Sequence, residues 1–205
     1  PRDRALVALT ERFSDRELGW PRIGLVRVAP SEAVRRTALS PDEVKAGIAS
    51  GPAFVPFEKG DSGEGGLGAR WRRDNPLVID WSPEAVALLR TRAAGRERHR
   101  KPRLQNEHLW GRGGVTWNRV ARYLRVRLVP EGAIFSSEAP TIAPTVEWLT
   151  TESLLALLNS EPVDFLLRTF LGSLMHMEIG DMRRMPIPVL AENDAEALFD
   201  LGAAA

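Results

Sequence analysis

Hydrophobic and polar positions along this chain follow two periods, and each period predicts a different kind of element. DRALVALTERFSDREL (3–18) carries apolar residues at helical spacing and predicts a helix; IGLVRVAP (23–30) predicts a strand. SPDEVKAGIASG (40–51) places Ser40 as N-cap, Pro41 at the first helical position and Gly51 past the end, which predicts a short helix. AFVPFEKG (53–60) predicts a strand that runs into the loop GDSGEGGLG (60–68). NPLVIDW (75–81) predicts another strand. SPEAVALLRTRAAG (82–95) predicts a helix capped by Ser82, with Pro83 first and Gly95 as its stop.

From 109 to 146 the pattern is β: GVTW, LRVRLVP and AIFSSEAPTIAPTV. In LRVRLV, Leu124, Val126 and Leu128 alternate with Arg125, Arg127 and Val129, so a half-buried strand with arginines outward is expected. TESLLALLNSEPVDFLLRTFL (151–171) is the strongest helical segment, with a break expected at Pro162 and a core-facing apolar stripe. Asn159 and Ser160 are expected to cap or turn. In HMEIGDMRRMPIPVL (176–190), Gly180 and Asp181 are expected to form a turn, and the two prolines allow only an edge strand or extended chain. The fold class expected is α+β. The expected organisation is an N-terminal helix or linker over 1–20, a principal domain over 21–190 and a C-terminal helical tail over 191–205.

Charge changes the picture. The net charge is only +1, but Arg90 to Arg127 holds 12 basic residues against Glu97 and Glu107, about +10, which leaves about −9 for the rest. A basic segment in an acidic background points to a polyanionic partner; the alternative is a solvated loop, RTRAAGRERHRKPR (90–103), that touches nothing.

Several chemistries are excluded or weak. No apolar run approaches the roughly 20 residues of a membrane helix, and no basic-then-apolar leader opens the chain. Cysteine is absent, so there is no disulfide or thiolate chemistry; a reducing cytoplasm fits. His99, His108 and His176 are too scattered to suggest zinc. Asp42-Glu43-Val44-Lys45 holds a Glu-x-Lys pair found in nucleases, on a segment that reads as an ordinary helix. GEGGLG (63–68) lacks the Lys-Ser/Thr of a phosphate loop. No catalytic centre is nominated.

The stretch 110–127 combines three residue types that nucleic-acid binding requires. Arg112, Arg119, Arg122, Arg125 and Arg127 supply cations, Asn118 a planar amide, and Trp110, Trp117 and Tyr123 aromatic surface. Gly111, Gly113 and Gly114 permit close backbone approach to a ligand. The bland alternative is buried tryptophans and a solvated arginine face, and for the two tryptophans the core is the favoured place.

Five stretches in order, FVPFEKGDSGEGG, RDNPLVIDWSPEAVALLR, RLQNEHLWGRGGVTWNRV, RLVPEGAIFSSEAPTI and LLALLNSEPVDFLLRTFLGSLMHMEIGDMRRMPIPVL, resemble the C-terminal target-recognition region of large adenine-specific DNA methyltransferases. The resemblance covers roughly 50–190 and is to the methyltransferases of BREX phage-defence systems and type IIG restriction-modification enzymes. The last stretch is also similar to recognition domains of type I specificity subunits. The resemblance implies a twisted β-sheet with flanking helices that recognises double-stranded DNA. It implies a separate catalytic domain in the same parent chain, which binds S-adenosylmethionine and holds the flipped adenine with an Asn-Pro-Pro-Tyr/Phe loop. Here Asn75-Pro76 is followed by Leu77, and no other Asn-Pro occurs. The chain, expected to be a piece of a longer protein, is therefore expected neither to methylate alone nor to bind the cofactor.

The resemblance also suggests roles. Arg112, Thr116, Asn118 and Arg119 are expected on a DNA-facing loop and element start, with Arg112 or Arg119 reading guanine or holding phosphate and Asn118 suiting adenine. Lys59, Arg70, Arg72 and Arg73 are candidate phosphate contacts, and Arg122 completes the set. The alternative function is a protein-interaction module meeting another defence-system subunit or a phage protein.

Overall fold

The computed structural model describes residues 7–10, 27–59, 71–72, 77–94, 104, 106–121, 123–171 and 176–204. The fold is α+β. The chain forms two compact units, each assembled from three segments: Pro1–Glu58, Asp74–Gly113 and Pro130–Phe135 in unit 1, and Lys59–Arg73, Gly114–Val129 and Ser136–Ala205 in unit 2.

Unit 1 is built on a mixed five-stranded sheet. Its strands are β1 (Val7–Thr10), β2 (Arg27–Ala29), β3 (Phe54–Glu58), β4 (Leu77–Asp80) and β7 (Ile134–Phe135), in the order β2-β1-β4-β3-β7. β1 runs parallel to β2 and antiparallel to β4, with Leu9 opposite both Val28 and Leu77. Over Val7–Thr10 this corrects the helix expected over 3–18; the rest of that span lies outside the described residues. An unbroken apolar run does not distinguish helix from interior strand, and Val7–Thr10 is paired on both edges.

Two helices start at the expected caps; the first ends at Gly47 rather than running to Gly51, and Gly95 lies outside the described residues. α1 (Pro41–Ala46) starts at Ser40, whose Oγ accepts from the Glu43 N–H, while Glu43 accepts from the Ser40 N–H. α2 (Pro83–Ala94) starts with the Ser82 Oγ accepting from the Ala85 N–H at 3.3 Å. Val44, Ile48, Val55, Phe57, Ile79, Trp81, Val86 and Leu89 close a core with Trp110 and Ile134. The Trp81 and Trp110 rings meet edge to face at 5.5 Å, and the Trp81 indole N–H donates to the Glu43 carbonyl at 3.0 Å. Such aromatic contacts contribute about 0.5–1.5 kcal/mol beyond burial.

Unit 2 is built on a three-stranded antiparallel sheet, order β6-β5-β8, of β5 (Gly114–Trp117), β6 (Val126–Val129) and β8 (Thr141–Ile142). α3 (Thr151–Leu158) is capped by Thr150 and buries Leu154, Leu155 and Leu158 with Val115, Trp117, Leu124 and Val126. Asn159 ends it and Pro162 sits in the first turn of α4 (Glu161–Leu166), so the break falls where the proline predicts. A π-helical turn, Leu167–Leu171, follows α4. Gly180 and Asp181 lie in the short helix α5 (Ile179–Met182) rather than a simple turn, because the Asp181 carboxylate accepts from the Glu178 N–H and caps it.

β6 departs from its expected alternation. Val126, Arg127 and Val129 are buried, and Arg127 has no exposed surface. The strand is flanked by β5 on one edge and by Trp71 on the other, through Trp71 N–H to Val126 C=O and Leu128 N–H to Trp71 C=O, both 2.8 Å.

The C-terminal helix α6 (Glu192–Ala203) is part of unit 2. It lies along α3, with the Ser153 hydroxyl donating to the Ala195 carbonyl at 3.4 Å. Gly202 is buried, and a Cβ there would meet the Glu152 carbonyl oxygen at 2.1 Å. Gly202→Ala should therefore destabilise the protein by about 1–3 kcal/mol, read as a lowered urea midpoint. Gly180→Ala, with nothing within 4 Å of its Cβ, should leave the midpoint within about 0.5 kcal/mol.

Candidate nucleic-acid interface

Of the nine expected contact residues, Arg70, Arg73 and Arg122 lie outside the described residues, as do the loop 60–68 and the basic run 95–103. Arg112 belongs to unit 1; Lys59, Arg72, Thr116, Asn118 and Arg119 belong to unit 2.

Arg112 is exposed at a turn that precedes β5. Gly111 and Gly113 on either side have φ of 78° and 73°, left-handed values that favour glycine. The turn is anchored by Gly111 N–H to Ala133 C=O and Gly132 N–H to Gly111 C=O, both 3.0 Å. No side-chain partner engages the Arg112 guanidinium among the described residues. Gly114 comes close to a neighbour, but the neighbour is the protein itself: a Cβ there would stand 2.3 Å from the Ile142 carbonyl oxygen. Its freedom serves the β5–β8 contact.

Thr116 and Asn118 are not on an open surface. Thr116 is fully buried and donates its hydroxyl to the Pro140 carbonyl at 2.7 Å, tying β5 to the approach of β8. Asn118 is 7% exposed, and its Oδ1 accepts from Arg127 Nη1 at 3.0 Å. The physical reason is the same for both. A buried hydroxyl or guanidinium needs an internal partner, and these polar side chains are occupied in that way. Trp110 and Trp117 are core residues, Trp117 donating its indole N–H to the Met177 carbonyl at 2.9 Å.

Arg119 lies at the surface with its side chain 33% exposed, and its Nη2 donates to both carboxylate oxygens of Glu178, at 2.7 and 2.8 Å. That hydrogen-bonded carboxylate holds the guanidinium pKa above its ordinary value; burial opposes the shift and the Glu138 charge adds to it. Arg72 and Lys59 are exposed, Arg72 with no side-chain partner among the described residues. Spacing offers no signal for the Arg119–Glu178 pair, whose members stand 59 residues apart. The same holds for Arg90, the first cation of the basic segment. It donates to Glu107 at 2.7 Å and to the Lys45 carbonyl at 2.9 Å, which makes it part of unit 1 rather than a free charge.

No protein-family model matches the chain, and no curated protein matches it.

Other chemistry stays where the residues put it. Among the described residues no group of three or more His, Asp or Glu is placed to hold a metal, and no helix is long and apolar enough to cross a membrane. The chain's one Asn-Pro is followed by Leu77, which opens β4 and is 5% exposed. Asn75 and Pro76 themselves lie outside the described residues. Of the Glu-x-Lys pair, the Glu43 side chain is engaged and Lys45 takes part through its main chain. Glu43 closes the α1 capping box and pairs with Arg35, and the Lys45 carbonyl accepts from Arg90.

Two measurements check these assignments. Asn118→Ala removes a partner from a buried guanidinium and should cost about 1.5–3 kcal/mol of stability, read from denaturant unfolding. The Ser40 N–H and then Arg35 hold the Glu43 pKa below its usual value. Its contribution is thus present above the unfolded-state pKa and lost as pH falls through the lowered folded value. Glu43→Gln keeps the cap but not the charge, and should flatten the acid limb of a Tm-against-pH curve.

Proposed function

We propose that this chain is the sequence-specific DNA recognition module of an N6-adenine DNA methyltransferase of the BREX or type IIG kind. The parent enzyme is S-adenosylmethionine-dependent and cytoplasmic, and its catalytic domain is supplied by the same parent chain. This module performs no chemistry and positions duplex DNA. The observation that carries the reading is Arg112: an exposed guanidinium with no side-chain partner among the described residues, on a turn held by backbone hydrogen bonds, inside the motif stretch that resembles such recognition regions. The planar fork can bind guanine or phosphate with two parallel bonds. Lys59 and Arg72 are the supporting phosphate contacts. Thr116 and Asn118 act as the frame of the β5–β6 sheet and not as readers.

The interaction-module reading is favoured by one feature. Phe165 and Phe170 are 58% and 69% exposed and meet edge to face at 6.1 Å. The π-helical turn brings residues five apart to one side, so two phenylalanines share one exposed patch. Phe165→Ser with Phe170→Ser should abolish partner capture under that reading and leave duplex binding unchanged under the first.

Arg112→Ala tests the leading reading in the parent enzyme. If Arg112 reads a base, affinity for the cognate duplex falls by about 1–3 kcal/mol and selectivity relaxes at one position. If it holds phosphate, all duplexes weaken alike and the salt slope drops by about one. Unchanged affinity and slope in titrations against salt would overturn the assignment.

A further inference from the structure

We propose that Arg119 is a phosphate-binding group kept closed by Glu178, which occupies the guanidinium in the free protein and yields it to a backbone phosphate of duplex DNA. The inference rests on the DNA-recognition reading and adds a gate to it.

The first support is redundancy. The segment around Arg119 is already fastened to residues 176–178 without the ion pair. Met177 N–H donates to the Arg119 carbonyl at 2.8 Å, Val120 and His176 form a β-bridge, and the Trp117 indole N–H donates to the Met177 carbonyl at 2.9 Å. Glu178 is placed separately, its N–H donating to Asp181 Oδ2 at 3.1 Å. Exchanging the carboxylate for another anion therefore leaves both backbones in position.

The second support is incompleteness. Glu178 engages a single nitrogen, Nη2, with both of its oxygens, and the Arg119 Nε, buried from solvent, has no partner among the described residues. The fork of a guanidinium suits two parallel bonds to an oxyanion, and Glu178 does not use it so. The third is exposure: the two side chains are 33% and 46% exposed, the range in which ion pairs are weak and readily exchanged. Glu138 adds a second negative charge to the field at Arg119. A phosphate arriving at the free protein thus meets two carboxylates facing one cation. Glu178 lowers non-specific attraction to DNA, and Arg119 contributes once the duplex is held close by other contacts.

The test uses the 205-residue chain and a short random-sequence duplex, because phosphate contacts are independent of sequence. Glu178→Gln should raise affinity at low salt about two- to fivefold and steepen the log K against log salt slope by about 0.9. Both gains should vanish in the Glu178→Gln, Arg119→Ala double variant. Glu138→Gln, which removes only a nearby charge, should give a smaller rise that also needs Arg119, and it decides the matter if Glu178→Gln proves unfolded by circular dichroism. A folded Glu178→Gln with unchanged or weaker binding, or a gain that survives loss of Arg119, overturns the gate. If the gate fails while Arg112→Ala still weakens binding, DNA recognition stands alone; if neither wild type nor any variant binds duplex, both ideas fall.

Discussion

The central strand pair of unit 2 is organised around a charge with no access to water. Arg127 sits in β6 between Val126 and Leu128, and burying an ionised side chain is tolerable only where protein dipoles replace its hydration. Asn118, just past β5, supplies one such dipole. The same economy governs the strand's backbone. Asn159, at the end of α3, accepts from the Val126 N–H at 3.1 Å and donates back to the Val126 carbonyl at 2.9 Å, so a side-chain amide acts as a short extra strand. α3 is thereby joined to the sheet by directional bonds as well as by leucines. Residues that a basic motif offers to DNA are drawn inward because the sheet needs them first.

That demand sorts the polar residues of 110–127 into two groups. Thr116, Asn118 and Arg127 are structural, each with an internal partner. Arg112 is presented outward by a turn whose own hydrogen bonds are complete, and Arg119 stands between the groups, exposed yet paired. Counting cations along the chain overstates what is available at the surface, since Arg90 and Arg119 each answer a carboxylate from a distant segment. Among the described residues, a polyanion would meet a smaller set of free charges than the composition suggests.

Elements announced by local chemistry were legible in the sequence. Ser-Pro starts place α1 and α2, Pro162 places the break after α3, and the alternation in 124–129 marks a strand. Elements decided by distant partners were not. Val7–Thr10 is a strand because β2 and β4 flank it, and Arg127 is interior with Asn118 as a partner from beyond β5. The candidate interface divides in the same way. Arg112 and its glycines are readable as an exposed turn, whereas the burial of Thr116 and Asn118 depends on Pro140 and Arg127, and no spacing rule connects those residues.

The interleaving of the two units governs how the chain comes into being on a ribosome. β4 pairs with β1 across about seventy residues, and unit 1 lacks its edge strand β7 until residue 135 has emerged. By then β5 and β6 of unit 2 have been made but not α3, against which they bury their apolar side chains. Both units therefore wait, half built and with apolar surface uncovered, for sequence still to be translated. Long-range closures of this kind are slow and expose such chains to association during synthesis. A cut anywhere between residues 59 and 129 also damages both units at once, so neither can be inherited or transplanted as a contiguous cassette.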